Sequence, residues 1–156
     1  MTGKTTGVVM GSLMAAVAAQ AGQADHYTTN NLISELDKLK AQAAATGGTS
    51  ETLQRYATHY TMLAYRTKDG SAEIHQQFAD MFYIVRGRAT LVTGGTLAGA
   101  KEESPGELRG TSVEGGVRTT LGPGDIVNIP AGTPHQMLLA PGDEIFFFVT
   151  KVKEHD

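Results

Sequence analysis

From residue 60 onward the chain is broken every few residues by glycine or proline, and this punctuation constrains the fold more than any other feature. Apolar-rich runs at residues 60–66, 73–78, 81–93, 117–121, 125–129, 135–139 and 144–152 are separated by turn formers. These include Asp69-Gly70, Gly94-Gly95, Gly122-Pro123-Gly124, Pro130-Ala131-Gly132 and Pro141-Gly142. No helical period intervenes, so the pattern predicts an all-β sandwich or barrel. The 19 glycines among 156 residues supply the tight turns such a fold needs. Residues 145–149 are apolar on both faces, which predicts a strand covered on both sides.

The first third of the chain reads differently. Leu32, Ile33, Leu36 and Leu39 recur at helical spacing after three candidate caps, Thr28, Thr29 and Asn30, so a helix is expected over 28–45. Gly47-Gly48 ends it, and a second short helix is expected over 51–56. Together residues 25–55 form a helical segment packed outside the β domain, which itself spans 56–152. Residues 1–24 start with Lys4, run through a mildly apolar stretch and end in small residues, so they read equally as a secretory leader or as a retained arm. A leader would make the protein periplasmic or secreted; without one it is cytoplasmic. The apolar stretch is too short to span a membrane. Cysteine is absent, which excludes disulfides, thiolate metal sites and a cysteine nucleophile. A net charge of −3 with no basic stripe excludes nucleic acid as a natural partner. Residues 94–116, rich in glycine and charge, are expected to be a surface excursion, with a flap near the mouth of the pocket as the alternative.

Two segments carry chemistry. In the first, Glu73 and His75 are two residues apart and share a strand face, and a turn near Ala79 would bring Asp80 beside them at the start of the next strand. In the second, the turn at 130–132 delivers His135 to the start of a strand whose same face carries Met137 and Leu139. A histidine among inward apolar residues needs a partner. His26, His59 and His155 lie outside these segments and are expected at the surface.

Together the segments resemble the two signature motifs of the cupin superfamily. Gly124, Pro130, Gly132 and His135 stand at the second motif's spacing, with Leu139 where an Asn is common. Glu73, His75, Asp80 and Gly87 stand at the spacing of the first, with Glu73 in place of a histidine and Asp80 in place of a glutamate. The resemblance implies a jelly-roll β-barrel with an N-terminal helical extension, a homodimer formed by sheet extension, and one divalent metal ion. The matching metal ligands are Glu73, His75, Asp80 and His135, with Asp80 either a ligand or an acceptor that orients a histidine. A carboxylate-rich set favours Mn or Fe, with Zn, Ni and Cu open.

The function expected is a metal-dependent small-molecule enzyme of dioxygenase, lyase or isomerase type, in which Glu73 or Asp80 serves as the catalytic base. The alternatives are a non-catalytic module that binds a small ligand or a metal, and an assembly role. Phe82, Ile84, Met137 and Leu139 are expected to line the barrel. No Arg or Lys falls inside either motif, so a modest organic substrate is expected rather than a phosphorylated sugar.

Overall fold

The computed structural model describes residues 24–154, so the leader expected over residues 1–24, Ala24 apart, and His155 lie outside the described residues. Two helices come first, α1 (Thr29–Ser34) and α2 (Leu36–Ala43). The strands are β1 (Gly48–Arg55), β2 (His59–Arg66), β3 (Ala72–His75), β4 (Phe78–Gly87), β5 (Ala89–Thr93), β6 (Thr96–Ala98) and β7 (Lys101–Ser104). They continue with β8 (Glu107–Gly110), β9 (Ser112–Glu114), β10 (Val117–Leu121), β11 (Ile126–Ile129), β12 (His135–Leu138) and β13 (Ile145–Lys153). One sheet has the order β1-β2-β13-β4-β11, the other β10-β5-β12-β3-β8-β7, and β6 pairs with β9 as a separate ribbon. The chain passes from sheet to sheet at β2, β3, β4 and β5, and again at β10, β11, β12 and β13, as a jelly roll does. Among the described residues no ladder joins an edge of one large sheet to the other, so the barrel they form is open along its seams.

Strand alternation sets what faces the space between the sheets. On β13, Ile145, Phe147 and Val149 point inward into the inter-sheet core, while Phe146 and Phe148 point outward. The expectation that this strand is covered on both faces therefore holds. The outward face is covered by the helices: Leu32, Leu36, Leu39 and Ala43 pack on Leu63, Tyr65, Val85 and Phe146. Burial of each larger side chain contributes about 1.5–3 kcal/mol. Thr28 caps α1 by accepting from the Asn31 backbone N–H in a capping box, and the expected single helix breaks at Glu35 into two.

Three expectations need correction. Residues 51–56 do not form a helix: they belong to β1, which pairs with β2 from Gly48↔Arg66 to Arg55↔Tyr60. Cross-strand pairing there overrides a weak local preference. The turn expected near Ala79 falls earlier, at Gln76-Gln77, so Asp80 is the third residue of β4 rather than its first. Residues 94–116 are not a plain excursion either. They form β6 to β9, and β8 pairs with β3 along the pocket.

Two glycines of the motif segments meet strict backbone demands. Gly87 has φ +83°, and a Cβ there would collide with the Glu144 carbonyl oxygen. Gly132 has φ +77° in the turn that precedes β12.

Candidate metal centre

The register of β3 and β12 builds the centre. His135 pairs with Glu73 across the ladder, so their side chains share a face, and His75 lies two residues beyond Glu73 on that same face. Glu73 Oε1 lies 3.4 Å from His135 Nε2 and 3.7 Å from His75 Nε2. The two imidazole rings are 5.3 Å apart, centre to centre. One ligand atom from each of Glu73, His75 and His135 falls within 4.8 Å of the others.

What lies behind each ring decides which nitrogen is free. His135 Nδ1 is 3.0 Å from the Thr133 carbonyl oxygen, which can only accept, so Nδ1 carries the proton. His75 Nδ1 donates to Glu107 Oε2 at 2.5 Å; Glu107 comes from β8, directly opposite His75 in the ladder. Both Nε2 atoms therefore present lone pairs to the pocket. Both are fully buried with no hydrogen-bond partner. Leaving such a group unsatisfied costs about 1–3 kcal/mol. Two inward imidazole lone pairs and one carboxylate oxygen, each histidine held from behind by an acceptor, are the donor set that a divalent ion satisfies. By this test the residues fit a metal.

The electrostatics agree. Burial alone would push the Glu73 carboxyl up, but His135 and His75 outweigh it and hold the group well below the ordinary carboxylate range. Burial pulls the His75 imidazole down, and Glu73 together with Asp80 raises it above its ordinary value, against the opposing charge of Lys151. A field of this sign favours any cation at Nε2, proton or metal.

Asp80 stands beside this set and is shared. It is buried on β4, with Oδ2 3.6 Å from His75 Nε2 and 3.7 Å from His135 Nε2. Its main partner is Lys151, whose Nζ is 2.7 Å and 2.9 Å from the two carboxylate oxygens. The β4–β13 ladder pairs these two residues directly. Of the four expected ligands, three thus converge, and the fourth is tied to a lysine.

The cavity in front of the centre measures about 280 Å³. Phe82 and Met137 line it as expected, whereas Ile84 and Leu139 belong to the inter-sheet core and not to its wall. Arg66, Arg109 and Lys151 also line the cavity. They come from β2, β8 and β13, outside both motifs. Lys151 and Arg66 were findable by alternation, since Phe147, Val149 and Lys151 share a face, as do Met62, Ala64 and Arg66. Glu107 and Arg109 had no local signal, because only the β3–β8 ladder brings them in. Arg109 Nε sits 3.4 Å from Glu73 and 3.7 Å from Glu103, and its Nη1 is 3.4 Å from Glu107. His59 stacks on Tyr56 with ring centres 4.3 Å apart and is not among the cavity-lining residues.

No protein-family model matches the sequence, and no curated protein is significantly similar to it. Solved structures do match the fold. A cupin-2 domain protein of Rhodospirillum rubrum aligns at 21% identity and TM-score 0.50, covering 70% of this chain and 62% of its own. A protein of Klebsiella pneumoniae with a double-stranded β-helix domain aligns at 13% identity and TM-score 0.52, covering 69% and 78%. The DMSP lyase DddQ of Ruegeria pomeroyi aligns at 16% identity and TM-score 0.52, covering 72% of this chain and 50% of the lyase. The chain thus spans about half the length of the lyase and less than two thirds of the Rhodospirillum protein.

Proposed function

Taking as premise that the chain has a cupin superfamily fold, we propose that it is a mononuclear metalloenzyme acting on a small organic molecule, with Glu73, His75 and His135 as the metal ligands. The observation that carries this reading is the pair of buried, unpartnered Nε2 atoms facing one carboxylate. A divalent ion bound there supplies Lewis acidity toward an oxygen of the substrate. A carboxylate among the three donors favours Mn or Fe.

The chain's own groups then divide the remaining work. Glu107 and the Thr133 carbonyl hold the imidazoles in the orientation that keeps Nε2 inward. Asp80 is the base: its carboxylate is buried beside the donor set and is not one of the three. Lys151, paired with Asp80 as an ammonium, orients that carboxylate and is within reach to donate a proton. Tyr60 lines the same cavity. Burial first, then the charges of Asp80 and Glu107, raise its phenol above the ordinary value, so it remains a hydrogen-bond donor at neutral pH. Phe82, Met137 and Phe147 exclude water.

Elemental analysis of the reconstituted protein tests the ligand assignment. One equivalent of metal per chain is expected, falling to background in His75→Ala and in His135→Ala. Equal metal content in wild type and both variants would sink it.

A further inference from the structure

Three cationic side chains line the cavity, and two of them are already neutralised. Lys151 is held by Asp80, and Arg109 by Glu73, Glu103 and Glu107. The third, Arg66 at the end of β2, has no carboxylate within ion-pair distance among the described residues. It is half-buried and shares the inward face of β2 with Met62 and Ala64.

Its surroundings are shaped around the guanidinium. A Cβ on Gly48 would fall 3.2 Å from Arg66 Nη1, and one on Gly70 would fall 3.3 Å from Arg66 Cζ. Neither glycine has a left-handed backbone, so space rather than conformation accounts for both. Gly48 lies opposite Arg66 in the β1–β2 ladder, and Gly70 opens the run into β3. The guanidinium is therefore seated between β1 and the β2–β3 connection, in the same cavity as the histidines. Ser50 and Ser71 line the cavity with it.

We propose that Arg66, seated between Gly48 and Gly70, is the carboxylate-recognising subsite of this cavity and makes the substrate a small organic acid. The inference rests on the metal-site reading for the other end of the ligand. Glu73 is three residue steps beyond Gly70, at most roughly 10 Å along the chain. A diacid of roughly four to six carbons spans that length with one carboxylate on Arg66 and its other end at the donor set. A single guanidinium fork matches a carboxylate's two oxygens.

Calorimetric titration of the full chain, first with Mn²⁺ and then with glutarate, tests this. Saturable glutarate binding is expected, with no binding of its uncharged diamide. Arg66→Gln weakens glutarate by about tenfold or more and leaves Mn²⁺ affinity within about twofold. Gly70→Ala, which keeps the charge but displaces it, weakens glutarate in the same direction. Retained Mn²⁺ binding shows that each variant is folded. The proposal is overturned by glutarate affinity that ignores Arg66→Gln, by diamide binding as tight as the diacid, or by inorganic phosphate binding in preference. It is equally overturned if neither succinate, glutarate nor adipate saturates into the tens of millimolar. If wild type fails to take Mn²⁺ yet binds glutarate through Arg66, the metal reading falls and the anion subsite stands. If wild type takes Mn²⁺ but binds glutarate independently of Arg66, the anion subsite falls and the metal reading stands.

Discussion

On the outer face of the β1-β2-β13-β4-β11 sheet, Glu144 accepts from the Tyr65 hydroxyl at 2.7 Å and lies 2.9 Å from Lys40 Nζ, beside the packed side chains of Leu63 and Phe146. Between the sheets, the donor set of the opposite wall faces the inner side of the same strands, and there His75 Nε2 and His135 Nε2 have no hydrogen-bond partner. The outer Lys40 and Glu144 side chains are 36% and 31% exposed, whereas the inner His75 and His135 are buried. Outside, the groups satisfy one another and serve stability. Inside, the protein holds its histidines from behind and leaves their front atoms unmet, which is how a ligand site differs from a structural network.

The largest expected effect lies on the outer face. Phe146 is 1% exposed, and Phe146→Ala should cost about 3–5 kcal/mol in urea denaturation while leaving Mn²⁺ affinity of the folded fraction unchanged. Coupled losses of stability and metal affinity would show that the two faces are not separable. Next is Glu107→Gln, which removes the carboxylate behind His75 and should lower Mn²⁺ affinity about 10–100-fold with little change in stability. An unchanged affinity would reduce the β8 contribution to packing alone.

Tyr65→Phe should cost about 1 kcal/mol and reshape the pH dependence of stability. Burial first, then the hydrogen bond to Glu144, push the Tyr65 phenol up to about 12. Its folded value is raised, so its contribution is complete below the unfolded value near 10 and is lost as pH rises from there toward 12. Glu144 behaves oppositely. The hydrogen bond from Lys40, then that from Tyr65, lowers its carboxyl. Its contribution is complete above the ordinary carboxylate value near 4.3 and is lost as pH falls through its lower folded value. The Phe variant should lose the alkaline limb and show a shallower acid limb. Smallest is Arg88→Ala, which removes an exposed pair with Asp143 at 3.0 Å and should shift stability by less than about 1 kcal/mol.

The inner face was partly legible in the sequence because its chemistry is local. Glu73 and His75 are two residues apart, and the Gly124 to His135 segment carries its own turn. The β13 core followed from Ile145–Val149 being apolar throughout. What the sequence hid is what long-range pairing decides. In β1 only Leu53 is apolar, so nothing local marked it as a strand before its ladder with β2 formed. Glu107 and Arg109 reach the cavity because β8 lies against β3, a register no local pattern encodes. Lys151 was overlooked because the apolar run ends before it, although the alternation of β13 already pointed it inward.

The central claim, that the unmet inner nitrogens form a metal site, is tested most directly by Mn²⁺-dependent thermal unfolding of wild type and of a His75→Ala/His135→Ala double variant. Without metal, the variant should melt at or below the wild-type temperature, since Glu73 loses both imidazoles that hold its carboxylate. With Mn²⁺ at about 100 times its Kd, wild type should gain about 2.7 kcal/mol and the variant nothing. An equal Mn²⁺ shift in both proteins, or no shift in wild type, would contradict the claim.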